Sequence, residues 1–220
     1  MTLFEDYKLG TTTLGNRIVM APMTRSRAPD DIATEQIALH YTQRGTAGLI
    51  VSEGTPISRE GQGYLFNPGI YTDAQIKGWK LVTDSVHSVG GKMFAQLWHG
   101  GRVSHTSIQI DGKAPVSATS KQAQGAVAFG YTDDGEPGFV ATSTPRPLTT
   151  EEVARVVEDF AQAAENAAEL DVSSTEAMLK ELEQKLVAES SYSENYSPLK
   201  REHDQVQARL EVYRRTNVVN

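Results

Sequence analysis

Three short apolar runs, separated by segments with helical spacing, constrain the fold of this chain more strongly than any other feature. The runs are residues 16–22 (NRIVMAP), 47–55 (AGLIVSEGT) and 92–98 (KMFAQLW). Apolar residues in direct succession are typical of strands that are buried on both faces of a parallel sheet. A helix between two such strands supplies the crossover that parallel pairing requires. The alternation therefore predicts an α/β fold with a parallel sheet.

The segments between the runs carry helix signals. Segment 34–45 has helical spacing and closes at Gly45. A second helix is predicted to begin after Thr72, where Gln75 completes a capping box. The face that we expect this helix to bury consists of Ile76, Trp79, Val82, Val86 and Val89.

A third helix is predicted after a long segment, residues 99–148, which is rich in Gly, Ser, Thr, Pro and Asp. Loops of that length are usually functional or contain a small hairpin. Thr149 and Glu152 then form a capping box, with Leu148 and Val153 in the positions of a hydrophobic staple. The predicted buried stripe of this helix consists of Val153, Val156, Val157, Phe160, Ala163, Ala164 and Ala167.

Composition narrows the class of partner. The chain has 220 residues, no cysteine and a formal net charge of −7. Without cysteine there is no disulfide, thiol nucleophile or thiolate-bound metal. An acidic chain is not expected to bind nucleic acid or an anionic membrane. We find neither a signal-peptide pattern at the N-terminus nor an apolar run of about 18 residues, so we expect a cytoplasmic protein that acts on small molecules.

Polar and glycine-containing segments follow each of the three predicted strands. They are residues 21–27, 52–55 and 94–105. The carboxyl ends of parallel strands lie at one edge of the sheet, where α/β proteins bind their ligands. The pattern therefore predicts a ligand site at this edge.

Several residues at this edge also have simpler interpretations. Thr24 could brace the turn after Pro22. His99 and His105 could be metal ligands, although local hydrogen bonds are the simpler interpretation without a third ligand at matched spacing. Arg102 could bind an anion or brace its loop through a salt bridge.

Five segments, in this order and spacing, resemble the old yellow enzyme family of FMN-dependent ene reductases. They are LFEDYKLGTTTLGNRIVMAPMTRSRA (3–28), AGLIVSEGTPISREGQGY (47–64), QLWHGGRVSH (96–105), APVSA (114–118) and PRPLTTEEV (145–153). The similarity covers about the first 170 residues. It implies part of a TIM-type (β/α) barrel with about three βα units, FMN as cofactor and NAD(P)H as reductant. The implied reaction is the reduction of activated alkenes such as enones.

The resemblance also implies cofactor-binding residues. Ala21, Pro22 and Met23 match the segment whose backbone lies along the flavin ring. Thr24 matches the threonine that hydrogen-bonds near the flavin C4 carbonyl and N5 and tunes the redox potential, so it is the one candidate catalytic residue. Gly54 matches the small residue that leaves room for the ring.

The remaining implied residues lie on or after the later strands. Gln96 matches the amide that binds the pyrimidine edge of the flavin, and a carboxamide offers both a donor and an acceptor there. Tyr64 and Trp98 match aromatic residues that line the substrate pocket, although both residue types more often serve in packing. No metal ligand is implied.

The sequence departs from the family pattern after Leu170. The family continues into a fourth strand, a His-x-x-His or His-x-x-Asn pair that anchors substrate, and a tyrosine that donates the proton. No part of residues 171–220 matches this pattern of a strand, a histidine-containing pair and a tyrosine two residues after the pair. The loops that bind the FMN phosphate follow later strands of such barrels, so phosphate contacts are also missing.

The tail instead has helical patterning, and we divide the chain into a partial FMN-binding barrel (1–170) and a helical tail (171–220) unrelated to the family. We expect the tail to form an α-helical hairpin or a coiled-coil-like pair of helices. Ser173 and Glu176 suggest a capping box, and Ser197 followed by Pro198 suggests a second helix start. The segment between the two helices, SSYSENYS, is predicted to be a turn. The apolar stripe consists of Leu179, Leu182, Leu186, Leu199, Val206, Leu210 and Tyr213.

Two functions remain open at this stage. The first is an FMN-dependent oxidoreductase of the old yellow enzyme type, without the residues for a full reaction in this chain. The second is a truncated or fused, non-catalytic half-barrel whose tail mediates association. The last strand would otherwise expose an unpaired edge, which self-association or the tail could cover.

Overall fold

The computed structural model describes residues 2–189 and 196–216. Its backbone divides into two compact units, Met1–Ala167 and Ala168–Asn220. The strands are β1 (Tyr7–Leu9), β2 (Thr12–Leu14), β3 (Val19–Met20), β4 (Leu49–Pro56), β5 (Met93–Trp98), β6 (Val116–Ser117), β7 (Val127–Tyr131), β8 (Pro137–Ala141) and β9 (Arg146–Pro147). The α-helices are α1 (Glu35–Thr42), α2 (Asp73–Ser88), α3 (Thr150–Glu189) and α4 (Tyr196–Thr216).

The three predicted strands form one parallel sheet in the order β3-β4-β5. Val19 pairs with Leu49, and Ile50 pairs with Met93. The register shifts between Val51 and Gly54, where β4 approaches the carboxyl edge of the sheet. The prediction of a parallel α/β sheet is confirmed, and its strand ends lie at one edge.

Helices α1 and α2 pack against each other, and their inner faces supply much of the core. The capping box of α2 is formed, with Thr72 Oγ1 accepting from the Gln75 N–H and Gln75 Oε1 accepting from the Thr72 N–H. Buried residues of the core include Ile37, Tyr41, Ile50, Trp79, Val82 and Val86. The predicted face of α2 is wrong at its end, because Val89 is 53% exposed. Val89 lies beyond the last helical residue, where the chain turns away at Gly90.

The segment between β5 and α3 contains the small hairpin that its length suggested. Strands β7 and β8 pair antiparallel, while β6 and β9 form a short parallel pair. The Leu65 N–H donates to the Phe129 carbonyl at 2.8 Å. The hairpin is therefore fastened to the loop that contains Tyr64.

Helix α3 begins at the predicted capping box. Thr149 Oγ1 accepts from the Glu152 N–H, and Glu152 Oε2 accepts from the Thr149 N–H. Arg146 donates two hydrogen bonds to the same carboxylate, at 2.7 and 2.8 Å. These bonds, first from Arg146 and then from Thr149, lower the pKa of Glu152 to about 2.

The predicted buried stripe of α3 is wrong over its first three turns. Val153 is 48% exposed, Val157 is 64% exposed and Phe160 is 37% exposed. In the next turn Ala163 is buried, but Ala164, which was also predicted to be buried, is exposed. The helical period is present, but in the described part of the first unit the parallel sheet ends at β5, so this face has no further strand to cover.

The helix start predicted at Ser173 is wrong. Helix α3 continues through this position to Glu189. A capping box acts only where the preceding backbone leaves the helical conformation, and residues 150–189 contain neither glycine nor proline to cause this. The predicted turn, SSYSENYS, lies mostly outside the described residues.

The last helix, α4, begins at Tyr196, one residue before the predicted cap. In its stripe Leu210 is buried and Val206 is half-buried. Other apolar residues of the tail pattern, Leu179, Leu182, Leu186, Leu199 and Tyr213, have side chains outside the described set. Across the described helices, none combines the length and apolar character needed to span a membrane.

Candidate flavin site at the carboxyl edge of the sheet

Three predicted site residues meet where the strands β3, β4 and β5 end. Gly54 of β4 is the parallel-register partner of Gln96 on β5. A Cβ atom added to Gly54 would lie 3.3 Å from the hydroxyl oxygen of Thr24, which follows β3. The structure therefore brings positions 24, 54 and 96 to one edge of the sheet. We call these three residues and Trp98 the rim.

The residues that connect β3 to Thr24 are open to solvent. Ala21, Pro22 and Met23 are all exposed, and Met23 is 60% exposed. An exposed thioether at the end of a strand can pack against a flat apolar ligand.

The Gln96 side chain is available for ligand binding. Its backbone N–H donates to the buried Ser52 hydroxyl at 2.9 Å, which fixes the end of β5 against β4. The side chain is exposed, and its carboxamide makes no hydrogen bond with any residue in the described part of the chain. A free carboxamide presents a donor and an acceptor side by side, as the edge of a heterocycle with alternating carbonyl and N–H groups requires.

Trp98 and Tyr64 form an aromatic pair next to Gly54. Their ring centroids are 5.7 Å apart and the rings are tilted by 58°. A Cβ atom on Gly54 would approach the Trp98 ring to 3.2 Å, and one on Gly63 would collide with the opposite part of the same ring. Both aromatic side chains are half-buried, so they pack into the protein and also leave one part accessible at the rim.

Two buried amides, which the sequence patterns did not single out, support this arrangement. Asn67 donates to the Gly54 carbonyl at 2.9 Å. Gln62 donates to the carbonyls of Asn67 and Tyr64, both at 3.1 Å. The loop with Tyr64 is thereby tied to the strand end with Gly54. The signal that could have found them is the position of each amide residue, because Gln62 lies between two glycines and Asn67 follows three large apolar or aromatic residues, YLF.

A buried ion pair beneath the rim was also missed. The Arg25 guanidinium lies 3.1 Å from the Glu53 carboxylate, whose side chain is 1% exposed. Tyr41 contacts the same carboxylate, and burial together with this negative charge raises the pKa of Tyr41. A carboxylate within the apolar run of β4 was the available signal, because a buried charge requires a partner.

The histidines and the arginine that follow β5 make local contacts. His99 Nδ1 accepts from the Gly101 N–H at 3.0 Å, and His105 Nδ1 accepts from the Ser107 N–H at 3.1 Å. Burial lowers the pKa of His99. Arg102 donates to the Lys121 carbonyl at 3.4 Å, so it braces its loop through a carbonyl, and it forms no salt bridge with any residue that the structure describes. Among the described residues, no three His, Asp or Glu side chains group as they would around a metal ion.

An exposed carboxamide, a hydroxyl, a glycine and an aromatic pair lie together where the parallel strands end, and groups of this kind have the chemistry to bind a flat heterocycle. The chain belongs to the NADH:flavin oxidoreductase / NADH oxidase family, whose model matches residues 2–209. This match extends beyond Leu170, so the comparisons do not show an unrelated tail.

Curated relatives are similar over about three quarters of the chain. 12-Oxophytodienoate reductase 1 of Oryza sativa subsp. japonica is 44% identical over 168 residues, which are 76% of this chain and 42% of that protein. The putative 12-oxophytodienoate reductase-like protein 1 of Arabidopsis thaliana is 44% identical over 157 residues, which are 71% of this chain and 45% of that protein. The chain thus spans less than half the length of these relatives.

Solved structures agree with the sequence comparison. Morphinone reductase in complex with tetrahydroNAD superposes with a TM-score of 0.74 and 48% identity, over 76% of this chain and 46% of that one. The old yellow enzyme homologue from Zymomonas mobilis gives a TM-score of 0.70 and 42% identity, over 77% of this chain and 46% of that one. The fold is therefore part of a (β/α) barrel of the old yellow enzyme type.

The family implies FMN with NAD(P)H as reductant, and the rim residues fit the ring of that cofactor. The exposed carboxamide of Gln96 offers a donor and an acceptor, and Thr24 places a hydroxyl beside the Cβ position of Gly54. Because a Cβ atom on Gly54 would crowd both the Thr24 hydroxyl and the Trp98 ring, the glycine lets these two groups lie side by side. The fit concerns the ring, because the phosphate-binding loops of such barrels follow later strands.

Proposed function

We propose that this chain is the ring-binding part of an FMN-dependent oxidoreductase of the old yellow enzyme type, which uses NAD(P)H to reduce activated alkenes such as enones. The observation that carries the proposal is the meeting of Thr24, Gly54 and Gln96 at one rim. The relatives support the reaction class, since one is named a 12-oxophytodienoate reductase and another a putative 12-oxophytodienoate reductase-like protein.

In this proposal each rim residue has a separate task. Gln96 binds the pyrimidine edge of the flavin through its carboxamide. Thr24 donates or accepts a hydrogen bond near the C4 carbonyl and N5, and so tunes the redox potential. The backbone of Ala21, Pro22 and Met23 lies along the ring.

Tyr64 and Trp98 form one wall of the substrate pocket in the same proposal. When bound, FMN supplies the hydride chemistry, and the protein contributes orientation and polarisation. Residues 171–220 contain neither a His-x-x-His nor a His-x-x-Asn pair to anchor the substrate oxygen. We therefore expect FMN binding by this chain without efficient turnover.

Titration with FMN tests the proposal. Quenching of flavin fluorescence gives the dissociation constant for the native chain and for Gln96→Leu. We expect Gln96→Leu to lose about 1–2 kcal/mol of binding, since one or two hydrogen bonds are removed, which is roughly a 5- to 30-fold weaker constant. The control is Gln36→Leu, the same change at an exposed position of α1. If the native chain does not quench flavin fluorescence at saturating concentrations, the proposal is refuted.

Activity is measured separately from binding. Oxidation of NADH and NADPH is followed with FMN bound and with 2-cyclohexenone as acceptor. Turnover comparable to a full-length old yellow enzyme would contradict the expectation that proton donor and substrate anchor are missing.

The alternative, a half-barrel that associates with other chains, is favoured by one observation. Val153, Val157 and Phe160 expose a contiguous apolar stripe on α3. In this alternative the helical tail, from residue 171, mediates self-association. Light scattering coupled to size exclusion compares the full chain with a chain ending at Leu170. An unchanged oligomeric state would leave the tail without this role.

A further inference from the structure

We propose that Glu53, with Arg25 and Tyr41, is a buried brace that positions the Thr24 hydroxyl over Gly54 and thereby sets the flavin-binding geometry of the rim. This inference rests on the proposed flavin function and adds positioning residues that lie beneath the site. The three side chains come from three elements: the segment after β3, helix α1 and strand β4.

The brace is held by four polar contacts. Glu53 Oε2 accepts from the Arg25 backbone N–H at 3.3 Å, and Glu53 Oε1 accepts from the Arg25 guanidinium at 3.1 Å. The Tyr41 hydroxyl accepts from the Glu53 backbone N–H at 2.8 Å and donates to Glu53 Oε1 at 3.4 Å. The Arg25 guanidinium also lies over the Tyr41 ring, 5.4 Å from its centroid. One carboxylate therefore joins the backbone of two chain segments.

The two segments are the ones that carry the rim. Arg25 directly follows Thr24, and Glu53 directly precedes Gly54. A bond from the Glu53 carboxylate to the Arg25 backbone N–H therefore fixes the peptide next to Thr24 against the peptide next to Gly54. The result is the 3.3 Å spacing between the Thr24 hydroxyl and the Cβ position of Gly54.

Stability alone does not explain a charged group at this place. Replacing a buried ion pair by apolar side chains of similar volume is often neutral or stabilising, because desolvation of both charges is costly. An apolar residue at position 53 would not bond the Arg25 N–H, however, and β3, which leads into this segment, pairs with β4 at two residues, Val19 and Met20. The Glu53 carboxylate thus fixes the Arg25 backbone relative to β4, which an apolar side chain at position 53 could not do.

The test has an arm that needs no flavin. In isotope-labelled chain without FMN, we expect a nuclear Overhauser effect between the Thr24 side chain and the Gly54 Hα protons. Tyr41→Phe removes one hydroxyl of the brace, and Glu53→Gln removes its charge while keeping its size. Both changes should weaken this signal. Asp84→Asn is the control, because it removes the same charge from the exposed Lys80–Asp84 pair on α2.

The second arm is a double-mutant cycle on FMN binding. If the brace acts through Thr24, Tyr41→Phe should weaken FMN binding about tenfold in the native background and have little effect in a Thr24→Val background, since residues of one network are not additive. Glu53→Gln should behave in the same way.

Each outcome decides the inference. Equal losses of FMN affinity in both backgrounds, or an unchanged Thr24–Gly54 signal in a folded Tyr41→Phe variant, would overturn the brace. If Glu53→Gln does not fold, Tyr41→Phe carries both arms. If the native chain binds no FMN, the proposed function fails, and the flavin-free arm still decides whether the brace positions Thr24.

Discussion

Trp98 is fitted so closely against Gly63 that adding a single methyl group should displace it. A Cβ atom on Gly63 would lie 2.9 Å from Trp98 Cζ2, closer still to Cη2, and 3.0 Å from the Val103 carbonyl oxygen. Carbon atoms in proteins approach to about 3.5–4.0 Å, so the indole in Gly63→Ala must retreat by about 1 Å. Because a backbone carbonyl closes the other side, the methyl group cannot move away instead. The retreat changes the contact between Trp98 and Tyr64.

The magnitude follows from the overpacking and from the aromatic contact. Overpacking of a tightly packed site costs about 1–3 kcal/mol, and an aromatic pair contributes about 0.5–1.5 kcal/mol. We therefore expect Gly63→Ala to lower the free energy of unfolding by about 2 kcal/mol, measured by urea denaturation, and to change the near-ultraviolet circular dichroism.

Gly15→Ala is the matched control, because a Cβ atom there has no neighbour within 4 Å and no left-handed backbone to strain. This change should be neutral or stabilise the chain by up to about 1 kcal/mol. Equal unfolding free energies for the two variants, with an unchanged aromatic dichroism signal, would refute the packing described for Trp98.

Three further predictions concern residues away from the rim. Burial, followed by two nearby arginines, lowers the pKa of His40 to about 4, so its ring should titrate there by NMR, and a value near 6.5 would contradict the described surroundings. Because the folded chain then binds fewer protons than the unfolded chain between about pH 4 and 6.5, this contribution to the unfolding free energy should be lost as the pH falls through that window. Thr149→Ala removes one side of the α3 capping box and should cost about 1 kcal/mol in urea denaturation, whereas no change would show that the box contributes little. Val157→Ser should change the unfolding free energy by less than about 0.5 kcal/mol because Val157 is 64% exposed, while Ile50→Val at a fully buried position should cost about 0.5–1.5 kcal/mol. A larger cost for Val157→Ser than for Ile50→Val would mean that the α3 stripe is covered.

Local pattern was sufficient for the elements and for their order. The three apolar runs predicted β3, β4 and β5, and the capping boxes at Thr72 and Thr149 predicted where α2 and α3 begin. These features depend on interactions between residues within a few positions of one another, so they can be predicted from the local sequence. The convergence of the strand ends followed as well, because parallel strands connected by helices must end at one edge.

Contacts between distant residues were decided only by the tertiary structure. The same helical period that buries Val82 in α2 leaves Val157 of α3 in solvent, because burial depends on which element lies opposite and not on the period. The capping-box pattern at Ser173 does not start a helix, because the backbone on both sides of this residue is already helical. The partner of Glu53 is 28 residues away in sequence, and only folding places Arg25 beside it. Sequence thus determined the local elements and the edge of the sheet where a ligand would bind, while the packing of distant segments determined which side chains are buried, paired or free at that edge.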